Sequence, residues 1–164
     1  MAQLSLFARE AAPRPLQAYA AIPVYKVTLV RESSMHTDHP RFGSSKDVAA
    51  LLQTYLKDAD REHVVLLLLN RKNRLIGLNT VSIGSLTASV AHPREVFKPA
   101  ILSNAAALIL CHNHPSGDPA PSQEDRVLTQ RPKEAGKLLG IDILDHLILG
   151  DSRYFSFADE GLLS

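Results

Sequence analysis

Val64-Val65-Leu66-Leu67-Leu68-Leu69 is six apolar residues in a row with no polar interruption. A strand with one wet face alternates, so an unbroken run of this length suits a strand buried on both faces. Asn70-Arg71-Lys72-Asn73-Arg74 then makes a basic turn, and Leu75 to Ile83 returns as a second strand, giving a hairpin. Upstream, Tyr25 to Arg31 sets Tyr25, Val27 and Leu29 against Lys26, Thr28 and Val30, and the alternation predicts a first strand. Ser44 or Ser45 can cap a helix in which Val48, Leu51, Leu52, Tyr55 and Leu56 recur at helical spacing, ending near Asp58.

The second half repeats this mixture. Pro93-Arg94-Glu95 has the composition of a helix N-terminus, with Val96, Phe97, Ala100 and Ile101 as the apolar side and Asn104 as the stop. Ala105 to Cys111 follows as a strand. Asp125 to Leu139 is expected to be a helix with Val127 and Leu128 inward, although Pro132 removes an intrahelical bond and should kink or split it. Gly136 and Gly140 punctuate the helix end. Ile141 to Leu149 is a buried strand containing Asp145-His146, which is expected to be a hydrogen-bonded structural pair, with metal-ligand orienter as the sharper alternative. Gly150-Asp151-Ser152 turns the chain into Tyr154-Phe155-Ser156-Phe157.

The chemistry sits between the last two strands. The apolar run stops at Cys111-His112-Asn113-His114, passes through Pro115-Ser116-Gly117-Asp118-Pro119, and re-enters a periodic segment at Ser122-Gln123-Glu124-Asp125. Alternate residues of a strand share a face, so His112 and His114 offer two imidazoles to one ion. Asp125 is a candidate third ligand, carried back by the loop. Two nitrogens, one oxygen and an open fourth position describe a catalytic zinc site. Each part also has a plain reading: histidines at a strand end are often only exposed, and Ser122 with acidic residues behind it is an ordinary helix cap.

The combined pattern of His-x-His, seven residues, Ser, two residues, Asp resembles the JAMM signature of the MPN metalloprotease superfamily. Asn113, Pro115 to Pro119 and Pro121-Ser122 sharpen the likeness to its bacterial RadC branch, and the resemblance runs from about Tyr25 to the C-terminus. It implies an α/β (α+β) domain at residues 24–164, a mixed sheet flanked by helices of the cytidine-deaminase-like kind. It also implies a metal-dependent hydrolase of peptide or isopeptide bonds, with a protein or peptide substrate and one zinc per chain on His112, His114 and Asp125. Iron, manganese or cobalt are the other metals that such ligands accept. By position in the family pattern the general-base role falls on Glu62. Glu95 is the rival, set aside because it suits the start of a helix. Ser122 can add an oxyanion hydrogen bond to its capping role, since a hydroxyl both donates and accepts. Deaminase chemistry is excluded, because the His-x-Glu and Cys-x-x-Cys signature is missing.

The rest bounds the setting. At 164 residues and 45% hydrophobic the chain can bury one core, and a net charge of +1 gives no global case for a nucleic-acid or membrane partner. The single cysteine, Cys111, fits a reducing compartment and reads as a small core residue. No leader or membrane-length run is seen, so a cytoplasmic protein is expected. Residues 1–23, rich in Ala and Pro, read as a tail. At its tip, Gln3-Leu4-Ser5-Leu6-Phe7 is similar to the pentapeptide that binds the bacterial DNA polymerase sliding clamp. That tip, with the repair association of the RadC name, supports the alternative of a replication or repair accessory protein without hydrolytic activity. The chain has no room for the helix-hairpin-helix region that RadC proteins carry, so direct DNA contact is not expected.

Overall fold

The protein is described from a computed structural model, over residues 22–37, 41–84 and 92–163. The expected clamp peptide Gln3 to Phe7, His39 and the segment Ser85 to Thr87 lie outside these residues. The elements run α1 (Ser45–Tyr55), β1 (His63–Leu69), β2 (Leu75–Ile83), α2 (Pro93–Leu102), β3 (Ala107–Asn113), α3 (Gln123–Leu139), β4 (Asp142–Leu149) and β5 (Tyr154–Ser156). The strands form one mixed sheet in the order β2-β1-β3-β4-β5, with β3 and β4 parallel and the other pairs antiparallel.

The apolar runs occupy the middle of that sheet because both faces are covered there. Val64, Leu66, Leu68, Leu108 and Leu110 pack with Val96, Phe97 and Ala100 of α2 and Leu128 of α3. Val65, Leu67, Leu69, Ile109 and Cys111 point the other way, onto Val48, Ala49 and Leu52 of α1. Each such side chain contributes about 1.5–3 kcal/mol when removed from water. The parallel β3–β4 pair needs a crossover, and α3 supplies it. No helix among the described residues is long and apolar enough to cross a membrane.

Several expectations change. Tyr25 to Arg31 is not a strand: it has no ladder partner among the described residues, and Tyr25, Val27 and Val30 stand at 81%, 67% and 85% exposure. Alternation is a local property, whereas a strand also needs a neighbour to bond. Ile101 and Val127 are exposed rather than inward, because the core contact of α2 is carried by Val96, Phe97 and Ala100 and that of α3 by Leu128. Pro132 does not split α3, which runs as one 17-residue helix with Pro132 buried. The lost bond to the Leu128 carbonyl is offset by packing, and α2 likewise contains a buried Pro99.

The ends of the elements follow the capping chemistry. Ser44 caps α1 in a capping box with Asp47, His92 caps α2 through Nδ1, and Gly140 closes α3 in the left-handed region at φ 68°.

Candidate metal centre

Strand register brings the first pair of groups together. β1 is antiparallel to β3 with Val64 opposite His112, so the start of β1 lies beside the end of β3 and Glu62 stands next to the two histidines. Asn113, between them in sequence, holds that junction. Its side-chain oxygen accepts from the His63 N–H at 2.8 Å, and its amide nitrogen donates to the Arg61 carbonyl at 3.0 Å. The backbone on both sides of Glu62 is thereby tied to the ligand strand. The Gly84 N–H donates to the Glu62 carbonyl and closes the same corner from β2.

The loop after β3 fixes His114. Its N–H donates to the Leu149 carbonyl, and Nδ1 lies 2.7 Å from the Asp118 carbonyl. A carbonyl only accepts, so Nδ1 carries the proton and Nε2 is a lone pair aimed into the site. Gly117, at φ 79°, allows the loop to lie against the β4–β5 turn: a Cβ there would sit 2.4 Å from an Asp151 carboxylate oxygen.

The start of α3 supplies the carboxylate. Ser122 is the N-cap, and Asp125 is its partner in a capping box: Asp125 Oδ2 accepts from the Ser122 N–H at 2.7 Å and from the Ser122 hydroxyl at 2.6 Å. Oδ1 is left facing His112 Nε2 at 3.0 Å. The cap and the ligand are the same side chain, so the two readings of this stretch hold together. Burial by itself would raise the Asp125 pKa, but the adjoining His112 ring and the hydrogen bonds from the Ser122 hydroxyl and N–H hold it well below the usual carboxylate range. It is an anion at any ordinary pH.

The four groups converge. Glu62, His112, His114 and Asp125 each place one ligand atom within 4.8 Å of all the others. His112 Nε2 is 2.9 Å from His114 Nε2 and 3.8 Å from Glu62 Oε1, and His114 Nε2 is 3.5 Å from Asp125 Oδ2. Tetrahedral ligands at 2.0–2.1 Å from a zinc ion lie about 3.3 Å apart. The separations of His112 Nε2 from His114 Nε2, 2.9 Å, and from Asp125 Oδ1, 3.0 Å, are a few tenths of an ångström below that value. Lone pairs and an anion facing one another repel, and a cation between them removes the repulsion; the donor set fits a divalent ion with nitrogen and oxygen ligands.

Every sequence candidate within the described residues has a place in or outside this cluster. Glu62, His112, His114 and Asp125 are in it, and Ser122 is hydrogen-bonded to it. Glu95 is not: it initiates α2, bonded to Arg94 and Lys98. His36 is exposed in an irregular segment. Cys111 is fully buried, with its thiol pKa pushed well up by burial, and points to the α1 side. Asp145 and His146 are hydrogen-bonded, the His146 N–H donating to Asp145 Oδ1 at 2.7 Å, but their side chains part. Asp145 bonds the Ser156 hydroxyl and the Ala158 N–H, while His146 turns to the opposite face and meets His112 Nδ1 at 2.9 Å. A bulge precedes both: Leu108 pairs with Ile143 and Ile109 with Asp145, so Leu144 is an extra residue that resets the alternation relative to Ile143. Thr129, one helical turn beyond Asp125 and bonded to His146, was missed; its i+4 spacing from a ligand was the available signal.

The chain is similar to a group of known proteins. The profile of the RadC-like JAB domain matches residues 42–162. A UPF0758 protein of Desulforamulus reducens is 55% identical over 118 residues, covering 72% of this chain and 52% of its own length. A UPF0758 protein of Methanosarcina acetivorans is 47% identical over 140 residues, covering 85% and 61%. One from Rubrobacter xylanophilus is 46% identical over 149 residues, covering 90% and 65%. The chain thus spans between about half and two thirds of the length of these curated relatives.

Proposed function

The chain belongs to the RadC-like JAB domain family, and from that premise we propose that it is a zinc-dependent hydrolase of peptide or isopeptide bonds. The observation that carries the reading is the convergence of a carboxylate from the start of β1 with two imidazoles of β3 and a carboxylate of α3 within 4.8 Å. A purely structural zinc site closes its coordination with four protein ligands, whereas three ligands beside a separate acid–base group suit catalysis.

His112, His114 and Asp125 would hold the metal through Nε2, Nε2 and Oδ1. Zinc in such a site lowers the pKa of a bound water toward neutrality and polarises a carbonyl oxygen. Glu62, whose carboxylate oxygen lies 3.8 Å from His112 Nε2, would take the proton of the attacking water and pass it to the leaving amine. Ser122 spends its proton on Asp125 Oδ2 at 2.6 Å, so donating to an oxyanion requires that the hydroxyl rotate while Oγ keeps accepting from the Asp125 N–H at 3.1 Å. Asn113 keeps the base from drifting, through its bonds on either side of Glu62.

The test has two stages. Elemental analysis after exhaustive dialysis should find near one zinc per wild-type chain and none in His114→Ala. Zinc-loaded protein is then incubated with a mixture of linear peptides and lysine-branched isopeptides, and new amino termini are identified by mass spectrometry. Wild type should generate termini that Glu62→Gln, carrying equal zinc, does not. No termini, or the same termini from both proteins, removes the hydrolase reading.

A further inference from the structure

His146 is fully buried and its ring lies between three groups. Nε2 is 2.9 Å from His112 Nδ1, Nδ1 is 2.6 Å from the Thr129 hydroxyl, and the ring face stacks on Phe157 at 5.0 Å and 7°. The Thr129 hydroxyl has a second partner, the Asp125 main-chain carbonyl at 2.7 Å. These contacts join two of the proposed ligands, His112 and Asp125, by a path of buried side chains.

The protons in that path have one consistent arrangement. The Asp125 carbonyl only accepts, so the Thr129 hydroxyl spends its single proton there. Thr129 Oγ1 must then accept from His146, which places the His146 proton on Nδ1. His146 Nε2 is consequently a lone pair, and the proton of that last bond belongs to His112 Nδ1. His112 Nε2 is left without a proton, facing His114 and Asp125.

We propose that Thr129 and His146 are positioning residues that impose the Nδ1–H tautomer on His112 and so keep its Nε2 ready to ligate. The usual partner of a ligating histidine is a carboxylate or a backbone carbonyl. Here a neutral imidazole does that work, and it is itself oriented by a hydroxyl one helical turn from the third ligand. A free neutral imidazole favours the opposite tautomer, with the proton on Nε2, so an unsupported His112 would present a proton where the site needs a lone pair. The bulge at Leu144 is what turns His146 onto this face.

The inference rests on His112 being a ligand, but its first test does not need the metal. Long-range proton–nitrogen NMR of the metal-free protein at pH 8 reports the tautomer of each ring. Wild type should show Nδ1–H for both His112 and His146. Thr129→Val, nearly isosteric, leaves His146 Nδ1–H without an acceptor, so His146 should move to Nε2–H and drive His112 to Nε2–H. Zinc affinity, read by competition with a chromophoric chelator, should fall by about tenfold, the lower end of what loss of such support costs. Thr129→Ser should restore both readings. An Nε2–H proton on His146 in wild type overturns the proposal. So does a Thr129→Val protein with wild-type tautomers and affinity, or a Thr129→Ser protein as impaired as Thr129→Val. If wild type takes up no zinc, the hydrolase reading fails, and the tautomers of the metal-free chain still decide the proposal.

Discussion

Removing His114 is the perturbation that separates the metal from the fold. His112 is fully buried and bonded to His146, so its truncation opens a cavity and strands a buried acceptor. His114 is 18% exposed, and in the metal-free protein its ring gives up the exposed bond to the Asp118 carbonyl, worth about 0.5–1.5 kcal/mol. His114→Ala should therefore fold. Free zinc at one hundred times its dissociation constant stabilises a protein with an intact site by about 2.7 kcal/mol. At about 2–4 °C per kcal/mol for a domain of this size, Tm rises by roughly 5–11 °C. Two ligands hold the ion far less tightly than three, so the same zinc should move the variant by about 2 °C or less. Thermal unfolding of metal-free wild type and His114→Ala across a buffered zinc series measures both. A wild type that does not respond, or a variant that responds as fully, refutes the claim that His114 completes a metal site.

Three other outcomes are expected. Asn113→Ala removes both bonds that flank Glu62, so hydrogen exchange at the His63 amide should accelerate by about tenfold or more, with zinc content unchanged and peptide hydrolysis reduced; unchanged exchange at that amide would show that the junction is held by something else. Cys111, whose thiol pKa is raised by burial, should stay protonated and inaccessible, reacting with a disulfide reagent at pH 8 only after unfolding in guanidinium. If Gln3 to Phe7 binds the sliding clamp, as its sequence suggests, Leu6→Ala/Phe7→Ala should lose clamp in a pull-down while retaining zinc.

The central strands were readable because composition alone sets them: Val64 to Leu69 has no polar residue to place on a wet face. His112, His114 and Asp125 were readable because their spacing is specific, and Glu62 only through the family pattern, since its neighbour in space is fifty residues away in the chain. What was not readable depended on tertiary contact. Tyr25 to Arg31 alternates well and pairs with no strand among the described residues. Pro132 breaks a propensity rule that burial overrides. The face that His146 takes depends on a bulge, one residue with no signature of its own.

The helix cap explains why this ligand set is rigid before any metal arrives. The N-terminus of α3 presents its positive end to the site, an unfavourable field for a cation. Asp125 sits between the two and divides its oxygens: Oδ2 satisfies the Ser122 N–H and hydroxyl, and Oδ1 faces His112. The field that would repel the metal thus stabilises the anion that binds it. Since the Asp125 carbonyl also accepts from Thr129, and Thr129 orients His146, the first two turns of α3 govern two of the three ligands at once. Changes to the cap should therefore alter metal affinity as well as helix stability.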